Sequence, residues 1–583
     1  MSIQNINLGA LQSSNELTIL GKSDTTSGES VSGIGDVNGD GYDDIVIGAP
    51  GCGTKTTYTT CVADSNFGGI SYVIYGGQNI ANINLAILKP EQGFFIVGNG
   101  TASSGYSVGG AGDINKDGYD DVIIGAPGEN SKTGAGYIIF GNRTSSLSNI
   151  YLISLNSSQG FAIYGANAGD LSGYSVKGAG DVNGDGYADV IVGAPNANSK
   201  AGISYIIFGN TTEYLKDIFL VNFSASQGIA IYGANAGDQS GWSAGGAGKV
   251  NNDNYADIII GAPSALGYTG ISYVVFGNKT LENINLSNGI TTSQGFSITG
   301  ASANDYSGLF VSAAGDFNHD GYGDVIIGAP ATNLDSGASY VVFGGQNLVN
   351  LNLASSENGR WITITGAAVI DYSGTEVSAA GDVNGDGISD VVIGAPGAGD
   401  AGTSYVVFGS KSPNDLSLAD LYNDVTHTSS GFSIVGANFG DNLGFSVSGA
   451  GDFNNDGYDD VALGAPGVGY YDNGASYVVY GSKMPAETSW WTPERIALVT
   501  VGGFEFLHWM YNIYTTRTIF QAIEQNAIDY YNILGATAGI LQAGVVRIDT
   551  GLQNLAGVVG GIGGALQVAL LGGGAQADDD DSV

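Results

Sequence analysis

The sequence is poor in the residues that usually do chemistry. Among 583 residues there are two cysteines, three histidines, and 17 lysines and arginines together. The histidines, His319, His427 and His508, stand far apart in sequence and none lies in a metalloprotease motif; with no CxxC or Cys/His cluster, a structural zinc site is not expected. Cys52 and Cys61 share one short loop, which permits a local disulfide in an oxidising compartment and equally two free thiols. Basic residues are outnumbered by 55 acidic ones, for a net charge of −38. That balance excludes the basic face nucleic-acid binding needs and makes anionic membranes poor partners. No P-loop is present. Met1 to Gly21 has neither a basic n-region nor an apolar h-region, so no secretory signal and no export route are visible.

What is plentiful is glycine, 97 residues without a collagen period, alongside a charged fraction of only 12%. Many short strands joined by tight turns fit this profile, and a helical protein does not.

One stretch organises the chain: Gly35-Asp36-Val37-Asn38-Gly39-Asp40-Gly41-Tyr42-Asp43-Asp44, running into Ile45-Val46-Ile47-Gly48-Ala49-Pro50. The pattern Asp-x-Asn-x-Asp-Gly-x-x-Asp returns at Asp113, Asp181, Asp316, Asp382 and Asp452, and in altered form at Lys249, with spacings of 66 to 77 residues. A fixed period of this kind marks a repeat protein. Oxygen atoms from positions 1, 3 and 5, the carbonyl of position 7 and the carboxylate of position 9 form a hard-ligand set suited to Ca²⁺. The loop starts like an EF-hand but has Ile47 at position 12 and β-rich flanks, which put it in a hairpin.

In order of position, the expected ligands of the first loop are Asp36, Asn38, Asp40, Tyr42 and Asp44. Those of the second are Asp113, Asn115, Asp117, Tyr119 and Asp121, and of the third Asp181, Asn183, Asp185, Tyr187 and Asp189. The fifth offers Asp316, Asn318, Asp320, Tyr322 and Asp324; the sixth, Asp382, Asn384, Asp386, Ile388 and Asp390. The seventh has Asp452, Asn454, Asp456, Tyr458 and Asp460. In the fourth, Lys249 replaces the first carboxylate and Asn254 the glycine. An ammonium in the first ligand position predicts that this loop holds no calcium, leaving about six ions. Six divalent ions would still leave the chain strongly acidic.

Each repeat holds four runs rich in Val, Ile, Tyr and Phe, bounded by Gly, Asn, Asp and Pro, as antiparallel strands are. Four strands repeated seven times predict an all-β, seven-bladed β-propeller over residues 1–486. Six fourth strands follow their own third strands: Phe94–Gly98, Phe161–Gly165, Ile229–Gly233, Phe296–Gly300, Trp361–Gly366 and Phe432–Gly436. The seventh blade lacks one after Tyr477–Gly481, and Leu17–Gly21 is left over. The N-terminal strand is therefore expected to close the ring and protect an otherwise bare edge.

These segments, Gly444-Phe445-Ser446-Val447 and Gly464-Ala465-Pro466 around the Asp452 loop among them, resemble the FG-GAP repeats of integrin α-chain propellers and of bacterial calcium-binding proteins. The resemblance covers about residues 1 to 486. It implies calcium on the lower face and a protein or glycan ligand on the upper face, at loops joining second to third strands and leading into each first strand. The Cys52–Cys61 segment is the longest of the former. The Gly-Phe-Phe-Lys-Arg motif of integrins is absent, which puts integrin-type pairing in doubt. The implied function is an extracellular or cell-surface binding and adhesion module, not an enzyme.

Two alternatives remain. One is a structural subunit oligomerising through its C-terminal helices. The other is the accessory propeller of a hydrolase, as in phospholipase D enzymes that carry FG-GAP repeats. Gly105-Tyr106-Ser107-Val108-Gly109 and Gly241-Trp242-Ser243-Ala244-Gly245 match G-x-S-x-G, but in a repeating strand and without the strand–turn–helix context of a nucleophile elbow.

Beyond Pro485 the character changes. Thr492-Pro493 reads as a helix N-cap and first turn, and residues 487–577 are expected to form a small helical, Gly-rich apolar region. Leu541 to Leu566 has apolar residues at heptad spacing, and Gly557/Gly561 and Gly560/Gly564 are small-xxx-small pairs. Residues 536–574 suit membrane insertion, self-association or a cap on the propeller. Residues 578–583 are an acidic, solvated tail.

Overall fold

The computed structural model describes residues 6–8, 16–23, 25–51, 68–143, 148–212, 214–355, 359–423, 430–469 and 473–483. The Cys52–Cys61 loop, the expected helices of 487–577 and the tail 578–583 lie outside them, as does His427. The described residues form seven sheets arranged as the blades of a propeller.

Blade one shows the pattern. Its first strand, Ser30–Gly35, lies at the axis, followed outward by Asp44–Ala49, Ile70–Ile74 and Gly93–Val97. Seven first strands crowd the axis, so they are built of small residues. A Cβ added to Gly33 would lie 2.6 Å from the Gly449 carbonyl of the neighbouring blade. Second strands are covered on both faces by adjoining blades, and all six residues of Asp44–Ala49 are buried. The core is accordingly a set of seams between blades. Ile34, Val46, Val73 and Phe94 of blade one, for instance, pack against Val122, Ile124, Tyr137 and Ile139 of blade two.

Blades carry five strands where the sequence predicts four. The connection between third and fourth strands of one blade reaches back to the rim of the blade before it. There Ile150–Tyr151 pairs parallel with Gly93–Val97, and Ile218–Phe219 with Gly160–Tyr164. A side chain just ahead of this piece clips the same rim: Asn149 Oδ1 accepts from Phe95 N at 3.2 Å, and Asp217 Oδ1 from Ala162 N at 2.9 Å. Two residues are too few for a periodicity, which is why the piece is silent in the sequence.

The ring closes as the strand count predicts. Glu16–Leu20 pairs antiparallel with Ala475–Val479 as the fourth strand of blade seven, and Ile83–Asn84 covers its outer side. Ile6–Asn7 supplies the rim piece of blade six. Leu17 and Ile19 are fully buried in the seam between blades seven and one, among Ile45, Phe453 and Val478.

Candidate functional site: the acidic loops of the lower face

Each acidic loop begins at a β-bulge. Gly33 pairs with Ile45 and Gly35 with Asp44, so Ile34 is the extra residue and turns into the core. The bulge bends the first strand into the loop. Within the loop, side-chain oxygens gather the backbone N–H groups of the turn. Asp36 Oδ1 accepts from Gly39 N (2.7 Å) and Asp40 N (3.1 Å), and Oδ2 from Gly41 N (2.8 Å). Asn38 Oδ1 accepts from Asp40 N, and Asp40 Oδ1 from Tyr42 N. The bonds from the N–H groups of positions 5 and 6 to the position-1 carboxylate recur around Asp113, Asp181, Asp316, Asp382 and Asp452. Position 6 is glycine in all six, with φ between 83° and 94°, a region other residues seldom adopt.

The carboxylate at position 9 has a second task. Asp44 is fully buried; its Oδ2 accepts from Val37 N and its Oδ1 from Gly76 N, just past the third strand. The bond thus ties loop to blade. Burial, followed by the charges of Asp117 and Asp113, pushes Asp121 up to about 8, against helpful N–H bonds from Gly141 and Ile114. Asp390 and Asp460 likewise rise to about 8, and Asp189 and Asp324 to about 7. A buried carboxylate beside others is short of positive charge, and a divalent cation would supply it.

The donor set fits calcium: hard oxygens, a mixture of carboxylate, amide and carbonyl, in flexible turns. Among the described residues no three His, Cys, Asp or Glu side chains converge to hold an ion, so the three carboxylates expected of each loop are not drawn together as a ready-made cluster. In the seventh loop Asn454 Oδ1 is buried and has no protein donor.

The fourth loop differs as its residues require. With Lys249 at position 1, no carboxylate gathers the N–H groups of positions 5 and 6, and Asp253 N is held by Asn251 Oδ1 alone. Asn254 lacks the positive φ of the six glycines. Asp257 nevertheless keeps the structural bonds of position 9, accepting from Val250, Asn251 and Gly277, and is raised to about 7.

Neighbouring loops touch. Position 8, to which the sequence reading gave no role, is Asp in three blades. Asp43 Oδ2 accepts from Asp452 N (2.9 Å), Asp120 Oδ2 from Asp36 N (3.1 Å) and Asp459 Oδ2 from Asp382 N (2.7 Å). Lys116 Nζ lies 5.3 Å from the Tyr187 ring of the next loop. His319, at a non-ligand position, is exposed.

The G-x-S-x-G serines lie in first strands. Ser107 Oγ accepts from Val176 N and donates to Val176 O, and Ser243 Oγ does the same with Val311. Both cross-link adjacent blades. Just ahead of the first strands the rings of Tyr106, Tyr174 and Trp242 pack in sequence, tilted by 47° and 54°, with centroids 4.9 and 4.6 Å apart. Among the described residues no helix is long and apolar enough to cross a membrane.

Comparison with known proteins agrees with this architecture. The family model for the FG-GAP repeat matches residues 27–73, 104–139, 172–207, 308–342, 373–407 and 443–479, and the blade carrying Lys249 is not among them. Integrin alpha pat-2 of Caenorhabditis elegans is 30% identical over 280 residues, covering 45% of this chain and 20% of that protein. Integrin alpha-PS2 of Drosophila melanogaster is 30% identical over 276 residues (42% and 17%), and integrin alpha-5 of Xenopus laevis 27% over 223 (38% and 19%). The chain spans about a fifth of the length of these curated relatives. Among solved structures, AofleA from Arthrobotrys oligospora overlaps 75% of this chain and 97% of its own. At 10% identity and a TM-score of 0.35, that likeness is too low to argue from.

Proposed function

We propose, from the premise that this chain belongs to the FG-GAP repeat family of integrin α-type propellers, that it is a calcium-stabilised binding module working at the cell surface or outside the cell. One observation carries the calcium reading. In six loops a position-1 carboxylate gathers the N–H groups of positions 5 and 6 around a glycine at φ near 90°, and the loop with Lys249 at position 1 has neither those bonds nor that φ while keeping the bonds of Asn251, Asp253 and Asp257. In this reading positions 1, 3, 5, 7 and 9 of the six loops hold about six Ca²⁺ ions. The ions fix the lower hairpins, leaving the upper loops of the blades to meet a protein or glycan ligand.

The location follows from energetics. At ten times Kd one site adds roughly 1.4 kcal/mol to the folded state, so six independent sites add roughly 8 kcal/mol. That is comparable with a whole domain's stability of about 5–15 kcal/mol, and it is realised only where calcium is abundant. Calcium titration by calorimetry, paired with thermal melts in calcium and in EDTA, tests the proposal. Six bound ions and a large EDTA shift are expected; a melt indifferent to EDTA would overturn it.

A further inference from the structure

The connections between third and fourth strands are not alike around the ring. Those of blades two, three and four contain nine asparagines, and six of these open an Asn-x-Ser/Thr triplet with no proline in the middle: Asn142, Asn156, Asn210, Asn222, Asn278 and Asn285. The same connections of blades one, five and six also contain nine asparagines, and none has Ser or Thr two residues on. One further triplet occurs in the chain, Asn99-Gly100-Thr101. The six come in pairs, two to a blade. The first of each pair directly follows the third strand: Asn142, Asn210 and Asn278 donate their N–H groups to the carbonyls of Val37, Ile114 and Val182, in the acidic loop of the blade before. The second stands at the rim, at a different place each time. Asn156 comes after the 3-10 turn Leu152–Ser154, Asn222 ends the turn Leu220–Asn222, and Asn285 ends the rim piece Ile284–Asn285. Copying of one ancestral unit accounts for the first set and not for the second.

A local turn could be what demands the hydroxyl, because Asn and Ser side chains readily bond nearby backbone. Ser287 N and Oγ both donate to Asn285 Oδ1, at 3.0 and 2.7 Å, and Ser158 does the same with Asn156, at 3.0 and 2.6 Å. The matching asparagines of blades one and five, Asn84 and Asn352, make this turn with alanine instead, accepting from Ala86 N and Ala354 N. At Asn222 the hydroxyl of Ser224 bonds Ser226 and Gln227. The turn therefore does not call for Ser or Thr. All six asparagines are exposed, and so are Ser158, Thr212, Ser224, Thr280 and Ser287. Asn99 is different: it is half-buried, and its Nδ2 donates to Oε1 of the buried Glu129 at 3.4 Å.

We propose that Asn142, Asn156, Asn210, Asn222, Asn278 and Asn285 are acceptors of N-linked glycans. The inference rests on the chain working outside the cell, since only an exported chain meets the transferring enzyme. The co-substrate is an oligosaccharide joined through its anomeric carbon to a lipid-borne phosphate. The Asn Nδ2 attacks that carbon: a C–N bond forms, the C–O bond to the phosphate breaks, and the lipid phosphate leaves with the electron pair. Nδ2 gives up one proton, and nothing is oxidised or reduced. The finished fold must leave room around the amide for a bulky, solvated group. The six positions do so, whereas Asn99 would have to release Glu129. The glycans sheath the lower corner and rim of blades two to four, beside three of the acidic loops, and leave the other blades bare.

The test uses full-length protein isolated from its own cells, with the surface and medium fractions kept apart from the cytosol. Its peptides are sequenced by mass spectrometry with electron-transfer fragmentation, which leaves a glycan on its residue. Sugar mass increments are expected at the six asparagines and not at Asn99. Two variants expressed in the same cells separate the triplet from its surroundings. Ser287→Ala should lose the increment at Asn285 without melting lower than the parent, because blades one and five form that turn with alanine. Ala354→Ser should gain an increment at Asn352 of blade five. Extracellular protein with bare asparagines at these positions overturns the proposal and spares the binding-module reading; unmodified protein found only in the cytosol overturns both. Increments confined to Asn142, Asn210 and Asn278 refute the rim set. An increment at Asn99 matching the other six, or one at Asn285 that survives Ser287→Ala, would overturn the proposal as well.

Discussion

Rebuilding the fourth acidic loop is the sharpest perturbation the propeller offers. The double variant Lys249→Asp/Asn254→Gly restores a carboxylate at position 1 and a residue free to take φ near 90°, leaving Asn251, Asp253 and Asp257 in place. In the intact loops the position-1 carboxylate accepts two or three backbone N–H groups, whereas in the fourth loop Asp253 N is held by Asn251 alone. Two recovered hydrogen bonds contribute about 1 kcal/mol each. The extra backbone freedom of glycine costs about 0.5–1 kcal/mol, and the new charge beside Asp253 opposes folding as well. Without calcium the variant should thus melt close to the parent. With calcium at ten times Kd, one added site contributes about 1.4 kcal/mol. Spread over the unfolding entropy of the roughly 440 described residues, that is about 1–2 °C, against about 9 °C for the six existing sites together. The readout is calorimetric stoichiometry, rising from six ions to seven, with the calcium-minus-EDTA melting difference widening in step. A folded variant that still binds the parent's number of ions would refute the reasoning, and so would a parent that already binds seven.

Three further outcomes follow from the geometry. Leu17→Asp puts an unpaired carboxylate into the sealed seam between blades seven and one, and should cost several kcal/mol and bare the Ala475–Val479 edge. Thermal melts and light scattering would register it, and a synthetic peptide of residues 14–23 added to a variant lacking them should restore part of the loss. Asp257→Ala strands the N–H groups of Val250, Asn251 and Gly277, and should destabilise by about 2–4 kcal/mol equally in EDTA and in calcium. A calcium-dependent effect would contradict the structural role given to position 9. Glu376 occupies a first-strand position that is serine in five blades, and burial pushes its carboxyl up to about 7 against the favourable charge of Lys177. A raised carboxyl pKa favours the protonated fold, so this group's contribution is fully present below about 4.5 and lost as pH rises through about 7. Glu376→Gln should therefore stabilise by of order 1–3 kcal/mol at pH 8 and change little near pH 4.5, read by denaturant titration at both; a difference independent of pH would contradict it.

The parts legible in the sequence are those written in side-chain identity at a fixed period. Gly at position 6, Asp at position 1 and the second strands, apolar after their leading Asp, recur in register, so the loops, the blade count and the closing role of Leu17–Leu20 could be read from them. The rim pieces could not, because Ile150–Tyr151 and its equivalents are two residues long and their partner lies in another blade. Left-handed turns between second and third strands of blades two to five, centred on Ser131, Ser199, Gly267 and Leu334, were equally hidden. Asn and Ser at positions 130–131 hint at such a backbone, but Leu334 argues against it, and the turns show their use only in carbonyl bonds to the following loop, as from Lys132 O to Gly169 and Leu171. Position 9 was read as a metal ligand alone; its bond to Gly76, 32 residues on, is a tertiary fact.

The backward reach of each connection has a genealogical consequence. Every unit carries the lid of its predecessor, so a unit copied or lost as a whole leaves all remaining rims sheltered, wherever in the array the event falls. A partial excision would strip a rim and leave an orphan lid elsewhere. Lineages of such rings are thereby constrained to grow and shrink by entire units, and drift in any one unit, as at Lys249, is survivable because its neighbours still clasp it from both sides.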